Sequence, residues 1–296
     1  MKPIAEGKTK LIFPETVTIK AKDIVTWGNT HQALMPGKAV WATETTCNVF
    51  RLFQKHNFPV AFIGRTGPDT FLAPYCDMIP LEVVGRSVID PKSSFLKRNP
   101  GYPREMIGIP LEIPKIECFL KTKGPVFRGI KVPDDDPFIV DPLMGGVGER
   151  GFSVIHPAGK EGHAFIPAEV FGYPGDLPGL FETLRVMMGD LTITLRDAFA
   201  RIGWTLGDFK GECGFTRDGR LLWADVFDND SWRLRDSLGV ERSKQVVRDR
   251  FAALFHPDMS IEEVNALYAR VMEEASEDFR VVAFVSKLLP DSYPQL

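Results

Sequence analysis

Between Leu206 and Arg233 the chain reads LGDFKGECGFTRDGRLLWADVFDNDSWR, and charged side chains recur in it at intervals of two. In a strand Asp208, Lys210 and Glu212 share one face. Asp218-Gly219, set between two strand-like runs, predicts a two-residue hairpin turn. With that loop Glu212 lies directly opposite Asp225, Lys210 opposite Phe227 and Asp208 opposite Asn229. Like charges directly opposed on a sheet are destabilising. A shared proton or a divalent cation relieves two facing carboxylates, and a lysine one pleat away favours Mg2+ carrying nucleotide phosphates. Glu212 and Asp225 are then the metal ligands. The solvent face of an ordinary hairpin is an equal competitor from pattern alone. It accounts for Lys210 and Glu212, and less readily for Asp228, Asn229, Asp230, Ser231 and Arg233, a run dense in ligand-type groups.

The elements that must position these groups are read from periodicity. Residues 5–27 predict β structure, with Lys8 and Lys10 on one strand face after Gly7. Thr43 to Asn57 predicts a helix and Val60 to Ile63 a short buried strand. FLAPYCDMIPLEVV at 71–84 reads as a connector passing into a strand, where Met78 and Ile79 supply either core or an apolar wall for an adenine ring. RSVIDPKSSFLKR at 86–98 reads as a basic, hydroxyl-rich loop suited to a phosphate monoester, or simply as a solvated loop. Residues 100–177, rich in Gly and Pro, are expected to form a flexible excursion or an assembly surface. Pro178 to Ile202 predicts a long core helix. Helices are also predicted at Ser243–Phe255 and Ile261–Glu274, the latter opened by a Ser260/Glu263 capping box, and a short strand at RVVAFV.

Composition narrows the class. A chain of 296 residues, 44% hydrophobic, can bury a sizeable core. The net charge of -3 gives no hint of nucleic acid or an anionic membrane as partner. No apolar run approaches the length of a membrane span. The four cysteines and five histidines are scattered, which supports neither a zinc site, a disulfide framework nor a Ser-His-Asp arrangement. A soluble cytoplasmic protein is the expectation.

Together these segments closely resemble the SAICAR synthetases (phosphoribosylaminoimidazole-succinocarboxamide synthases), most of all the form found as the N-terminal half of the bifunctional animal enzyme. The matching stretches are EGKTK at 6–10, GN at 28–29, GKA at 37–39, CDMIPLE at 76–82, SFLKRNPG at 94–101, DFKGECG at 208–214 and ADVFDNDSWRL at 224–234. The likeness thins over roughly 102–177. It implies an α+β fold of two lobes: a small antiparallel β N-lobe over 1–78, and a larger α+β C-lobe over 79–296, including a long excursion at 124–177, with ATP in the cleft. The reaction it implies is the ATP- and Mg2+-dependent ligation of L-aspartate to carboxyaminoimidazole ribotide through an acyl phosphate.

By this resemblance Lys8, Lys10 and Lys210 hold the phosphates, with Met78, Pro80 and their neighbours against adenine and Glu212 and Asp225 on Mg2+. Arg86, Ser94 and Arg233 grip the ribotide phosphate, Asp208 contacts the ribotide, and Asp230 is an acidic group near the substrates. Catalytic roles fall to Lys210, Asp208 and Asp230. The partners implied are small-molecule substrates, with no nucleic acid and no membrane, in an expected homo-oligomer. Two other readings stand beside this one. The 86–94 loop departs from the family pattern, which motivates a paralogue ligating another acid or amine; ADP release only with another substrate pair would favour it. A catalytically silent assembly protein of the same fold would fail to bind Mg-ATP.

Overall fold

Alternating apolar and polar residues build short antiparallel strands at the N-terminus, as expected. The computed structural model describes residues 5–6, 10–13, 17–27, 31–140 and 145–292. The first stretch holds β1 (Ala5–Glu6), β2 (Lys10–Phe13), β3 (Val17–Ala21), β4 (Ile24–Trp27), β5 (His31–Leu34), α1 (Lys38–Lys55), β6 (Gly64–Gly67) and β7 (Thr70–Ala73). Helix α1 begins five residues before the expected Thr43, at Lys38 behind Gly37, whose φ is 89°. Val60 to Ile63 is not a strand: Val60 makes only an isolated bridge to Trp223. Four residues are too few for periodicity to separate a strand from an extended buried segment.

The middle stretch holds β8 (Asp77–Met78), β9 (Leu81–Val88), α2 (Ser94–Arg98), β10 (Pro110–Leu120), β11 (Val126–Phe127), β12 (Ile130–Lys131), β13 (Phe138–Ile139), β14 (Val147–Gly148), β15 (Gly151–Ile155), β16 (His163–Pro167), α3 (Ala168–Phe171) and α4 (Leu177–Arg201). Two expectations are corrected here. Arg86 lies inside strand β9 and not in a loop. Much of 100–177 is strand, with β10 alone running eleven residues and pairing with β9; Pro110 opens β10, and Pro114 falls where its register against β9 shifts, positions where a ladder tolerates proline. The last stretch holds β17 (Thr205–Phe215), β18 (Leu221–Ala224), β19 (Trp232–Arg235), α5 (Gln245–Leu254), α6 (Ile261–Ser286) and α7 (Leu289–Ser292). The capping box at Ser260 and Glu263 is present. RVVAFV at 280–285, expected as a strand, is the continuation of α6. Met272, Ala275, Phe279, Val282, Ala283 and Ser286 are buried at helical spacing, so one stripe runs the full length.

The chain forms two compact units, one of Met1–Asp77, Asp197–Leu206 and Gly214–Leu296, the other of Met78–Arg196 and Gly207–Cys213. In the first unit β1-β2-β3-β7-β6 form one antiparallel sheet, and Phe50 and Phe53 of α1 meet Phe227 edge-on at 5.4 Å. A second core joins Val25, Trp27 and Met35 to α5 and α6 through Val247, Phe251, Val271 and Phe279. In the second unit β14, β15, β13, β10, β9 and β17 follow one another in the sheet. Gly85 of β9 faces Thr192 of α4 at close range. A Cβ there would stand 1.9 Å from Thr192 Oγ1, so only glycine allows the approach.

The hairpin loop after β17 is one residue longer than expected, which shifts the register by one step. The Thr216 N–H donates to the Arg220 carbonyl at 2.9 Å, and the Gly219 N–H to the Thr216 carbonyl at 2.9 Å, with Gly219 at φ 83°. Arg217, Asp218 and Gly219 therefore form a three-residue loop ending in a left-handed glycine. The Thr216 hydroxyl accepts from the Arg220 N–H at 3.0 Å and donates to the Asp218 carboxylate, which holds this loop in place of the two-residue turn. Strand β18 ends at Ala224, so Asp225 is not the ladder partner expected for Glu212, and Phe227 and Asn229 also lie beyond the strand. Asp225 instead takes a left-handed conformation, φ 70°, a region that Asp visits more readily than most residues.

Candidate functional site

In the second unit one face of β9, β10 and β17 carries alternating charge. Asp208 pairs in register with Arg86, and Lys210 with Val84. Lys115 is opposite Arg86 on the other side and Glu117 opposite Val84. Side chains two apart share a face, so Glu82, Arg86, Glu117, Asp208, Lys210 and Glu212 all project from the same side. The opposite side, with Val83, Phe209 and Cys213 at 0% exposure, is core.

The charged face is closed at one end and open at the other. At the closed end Arg86 donates from Nε to Glu117 Oε2 at 2.6 Å and from Nη1 to Asp208 Oδ2 at 2.8 Å. Arg98 Nη2 donates to Glu117 Oε1 at 2.6 Å. Burial alone would lower the Arg86 guanidinium pKa, but Glu117 and then Asp208 outweigh it and hold the group above its ordinary range. For Arg98 burial prevails over Glu117, and its pKa is lowered. At the open end Lys210 Nζ bonds Glu82 Oε2 at 2.7 Å and Lys121 Nζ bonds Glu212 Oε1 at 2.5 Å, with Lys210 44% and Lys121 36% exposed. Ammonium groups there can meet phosphate oxygens, and Glu212 can offer hard oxygen donors to a cation.

The first unit carries a second cluster. Lys38, at the start of α1, is buried and bonds Asp230 Oδ2 at 2.9 Å. Lys244 Nζ stands 3.5 Å from Asp230 Oδ1 and 3.5 Å from Thr26 Oγ1. Asp228 accepts from the Asp230 N–H at 2.8 Å. Burial first, and Asp230 second, push its carboxyl up to about 6, against the opposing pull of Lys38. Ile19, Ala21, Lys38, Ala42, Thr43, Phe71, Val226 and Asp228 line a narrow pocket.

The residues singled out from the sequence fall in both units. Asp225, Asp230 and Arg233 are in the first; Met78, Pro80, Arg86, Ser94, Asp208, Lys210 and Glu212 are in the second. Within the second the structure brings Arg86, Asp208, Lys210 and Glu212 onto one face. Ser94 opens α2, capped by the Ser93 hydroxyl, and Met78 is exposed in β8 next to half-buried Pro80. Lys8 lies outside the described residues, and Lys10 is described only as the first residue of β2. Sequence reasoning missed Glu82, Arg98, Glu117, Lys121 and Lys38 as members of these clusters, and singled out Asp228 only as part of a run dense in ligand-type groups. Arg98 and Lys38 sit in the SFLKR and GKA motifs, so a signal was present; Glu117 follows only from the register of β10, and Lys121 only from the residue after that strand meeting Glu212.

The description "SAICAR synthetase" belongs to a family model that matches residues 3–124 and 178–258. The chain belongs to the SAICAR synthetase family. Residues 125–177 lie outside the match. A SAICAR synthetase relative, the phosphoribosylaminoimidazole-succinocarboxamide synthase of Chloroflexus aurantiacus, is 31% identical over 278 residues, covering 91% of this chain and 94% of that protein. The bifunctional phosphoribosylaminoimidazole carboxylase/phosphoribosylaminoimidazole succinocarboxamide synthetase of Homo sapiens is 30% identical over 259 residues, 84% of this chain and 52% of that protein. Among solved structures, a SAICAR synthetase in complex with ADP has a TM-score of 0.62 at 23% identity, covering 92% of this chain and 97% of that one. The SAICAR-synthase of Saccharomyces cerevisiae complexed with SAICAR has a TM-score of 0.60 at 16% identity, covering 94% of each. These likenesses establish the α+β fold of the family. Among the described residues no helix is long and apolar enough to cross a membrane.

Proposed function

We propose that this SAICAR synthetase family member joins L-aspartate to carboxyaminoimidazole ribotide at the expense of ATP, forming SAICAR in purine biosynthesis. The observation that carries the reading is the single sheet face of alternating cations and carboxylates, closed at Asp208 and open at Lys210 and Glu212. A ribotide carboxylate oxygen attacks the γ-phosphorus, the bond to ADP breaks, and an acyl phosphate forms. The aspartate amine then attacks the acyl carbon, a proton leaves the nitrogen, and phosphate departs. Such chemistry asks for positioning and charge neutralisation more than for a protein nucleophile.

Lys210, with Lys8 and Lys10, neutralises the ATP phosphates, and exposed Met78 with Pro80 gives adenine an apolar surface. Asp208 accepts from the ribotide, while Ser94, Arg86 and Arg233 take its phosphate. Asp230, held by Lys38 and Lys244, is the acidic side chain near the substrates. Mg2+ binds through one or two carboxylates and completes its shell with water and phosphate oxygens. Glu212, 20% exposed and held by Lys121, offers that donor type, as does the half-buried carboxylate Asp225, and each is assigned to it. Bound there, the ion would neutralise developing phosphate charge. The reaction is placed in the cytoplasm, on small molecules alone, in a homo-oligomer.

Purified protein with ATP, Mg2+, aspartate and the ribotide should yield SAICAR and ADP in equal amounts, read by mass spectrometry. ADP release that needs a different acid or amine would refute the substrate assignment.

A further inference from the structure

The four charges at the closed end of the face are an unexpected choice for a sheet interior. Side-chain exposure is 4% for Arg86, 1% for Glu117, 3% for Arg98 and 9% for Asp208. Neighbouring positions on the same face are filled by Val84 and Phe119, and burying charges costs more desolvation than burying those. Well-packed apolar groups stabilise such a site at least as well as an ion network does, so stability does not account for the arrangement. Its direction is informative. Glu117 shares its two oxygens between Arg98 and Arg86, and Arg86 in turn reaches Asp208, the most exposed member. Arg98 is itself anchored: it donates to the Pro157 carbonyl and lies over the rings of Phe138, 4.3 Å to the centroid, and Phe119, 5.2 Å.

We propose that Glu117, anchored by Arg98, is a positioning residue that fixes Arg86 and, through it, the Asp208 carboxylate for the phosphoribosyl part of the ribotide. This rests on the assignment of Arg86 and Asp208 to that substrate. Two N–H groups converge on a carboxylate that can accept both. An amide in its place accepts from one guanidinium and turns its own donors on the other. Arg86 then loses the acceptor that sets its plane, and Asp208 loses the fixed partner that sets its rotamer.

The test is calorimetric binding of carboxyaminoimidazole ribotide, and separately of Mg-ATP, to the full chain and to E117Q and E117D, with a melting curve of each. E117Q should weaken ribotide binding on the order of 10- to 100-fold, the factor that one charge-assisted hydrogen bond supplies, and leave Mg-ATP binding within about 3-fold, near measurement scatter on that scale. E117D, which keeps the charge, should recover part of the loss. A lowered melting point with unchanged ribotide affinity would make Glu117 merely structural and overturn the proposal, as would an equal loss for both ligands. Should E117Q not fold, R98K carries the same expectation, because it keeps the charge and loses the planar fork. Wild-type protein that binds the ribotide yet forms no SAICAR would sink the activity reading and leave this one standing. Wild-type protein that does not bind the ribotide would sink both.

Discussion

Replacing Arg86 by Met removes the guanidinium that links two buried carboxylates and keeps the aliphatic stem. The parent holds Glu117 at 2.6 Å and Asp208 at 2.8 Å, with Arg86 only 4% exposed. Deleting one partner of a buried pair costs about 3–5 kcal/mol, chiefly the desolvation of the charge left behind. Glu117 keeps Arg98 at 2.6 Å, so the loss should fall at the lower end, about 3 kcal/mol. At roughly 2–4 °C per kcal/mol for a domain of 150–250 residues, that is a fall in Tm of about 6–12 °C. The control is Arg280→Met, whose pair with Glu277 is 65% and 54% exposed on α6; its effect should stay under about 0.5 kcal/mol. Melting both variants beside the parent by circular dichroism decides the matter. If Arg86→Met melts within about 2 °C of the parent, less than 1 kcal/mol on that scale, or Arg280→Met falls as far, burial does not set the worth of this network.

Gly85→Ala should destabilise by about 1–3 kcal/mol, as overpacking does, since the new methyl would meet Thr192 Oγ1 at 1.9 Å. Denaturant titration of Gly85→Ala with and without Thr192→Ala should show clear non-additivity; strictly additive losses would mean the two groups do not meet. Asp228 holds its proton in the folded state up to about pH 6, against roughly 3.9 for a free Asp. Its raised value makes stability fall as pH rises through that window, by up to about 3 kcal/mol, with the full penalty present above it. Asp228→Asn should flatten the urea midpoint between about pH 4 and 6, the two values bounding the window; a profile parallel to the parent's would refute the buried proton. Asp225→Asn should keep the fold, because Asn also accepts φ 70°, and should lower turnover by orders of magnitude. Near-normal activity in the product assay would remove Asp225 from the metal. Arg233→Ala should mainly raise KM for the ribotide; a change confined to the aspartate constant would contradict its role as a phosphate clamp.

Signals carried by a few adjacent residues were legible. The Ser260/Glu263 capping box, the long stripe of α4 and the two-residue alternation of Asp208, Lys210 and Glu212 are statements about one element's own geometry. The motifs that named the family are of this kind too, and they brought most of the charged face with them. The Asp218-Gly219 signal was legible only in part. It marked a turn, but the Thr216 hydroxyl chose a three-residue loop, and that one-residue change took Asp225 off the ladder. RVVAFV was misread because a short apolar run suits a strand and a buried helix stripe alike until its neighbours along α6 are known.

Burial and partnership were decided elsewhere. Nothing near Glu117 in the chain announces that it will serve two arginines, 31 and 19 residues away. Nothing near Lys38 announces Asp230, 192 residues on. Such pairings depend on which strands lie side by side and in what register, and that is set by the packing of whole elements. Burial then gives them their consequence: a carboxyl such as Asp228 keeps its proton to higher pH because water has been taken away from it. Residue types and spacings could name the chemistry available to this chain, whereas only the folded sheet could say which charges are closed off and which are left for a substrate.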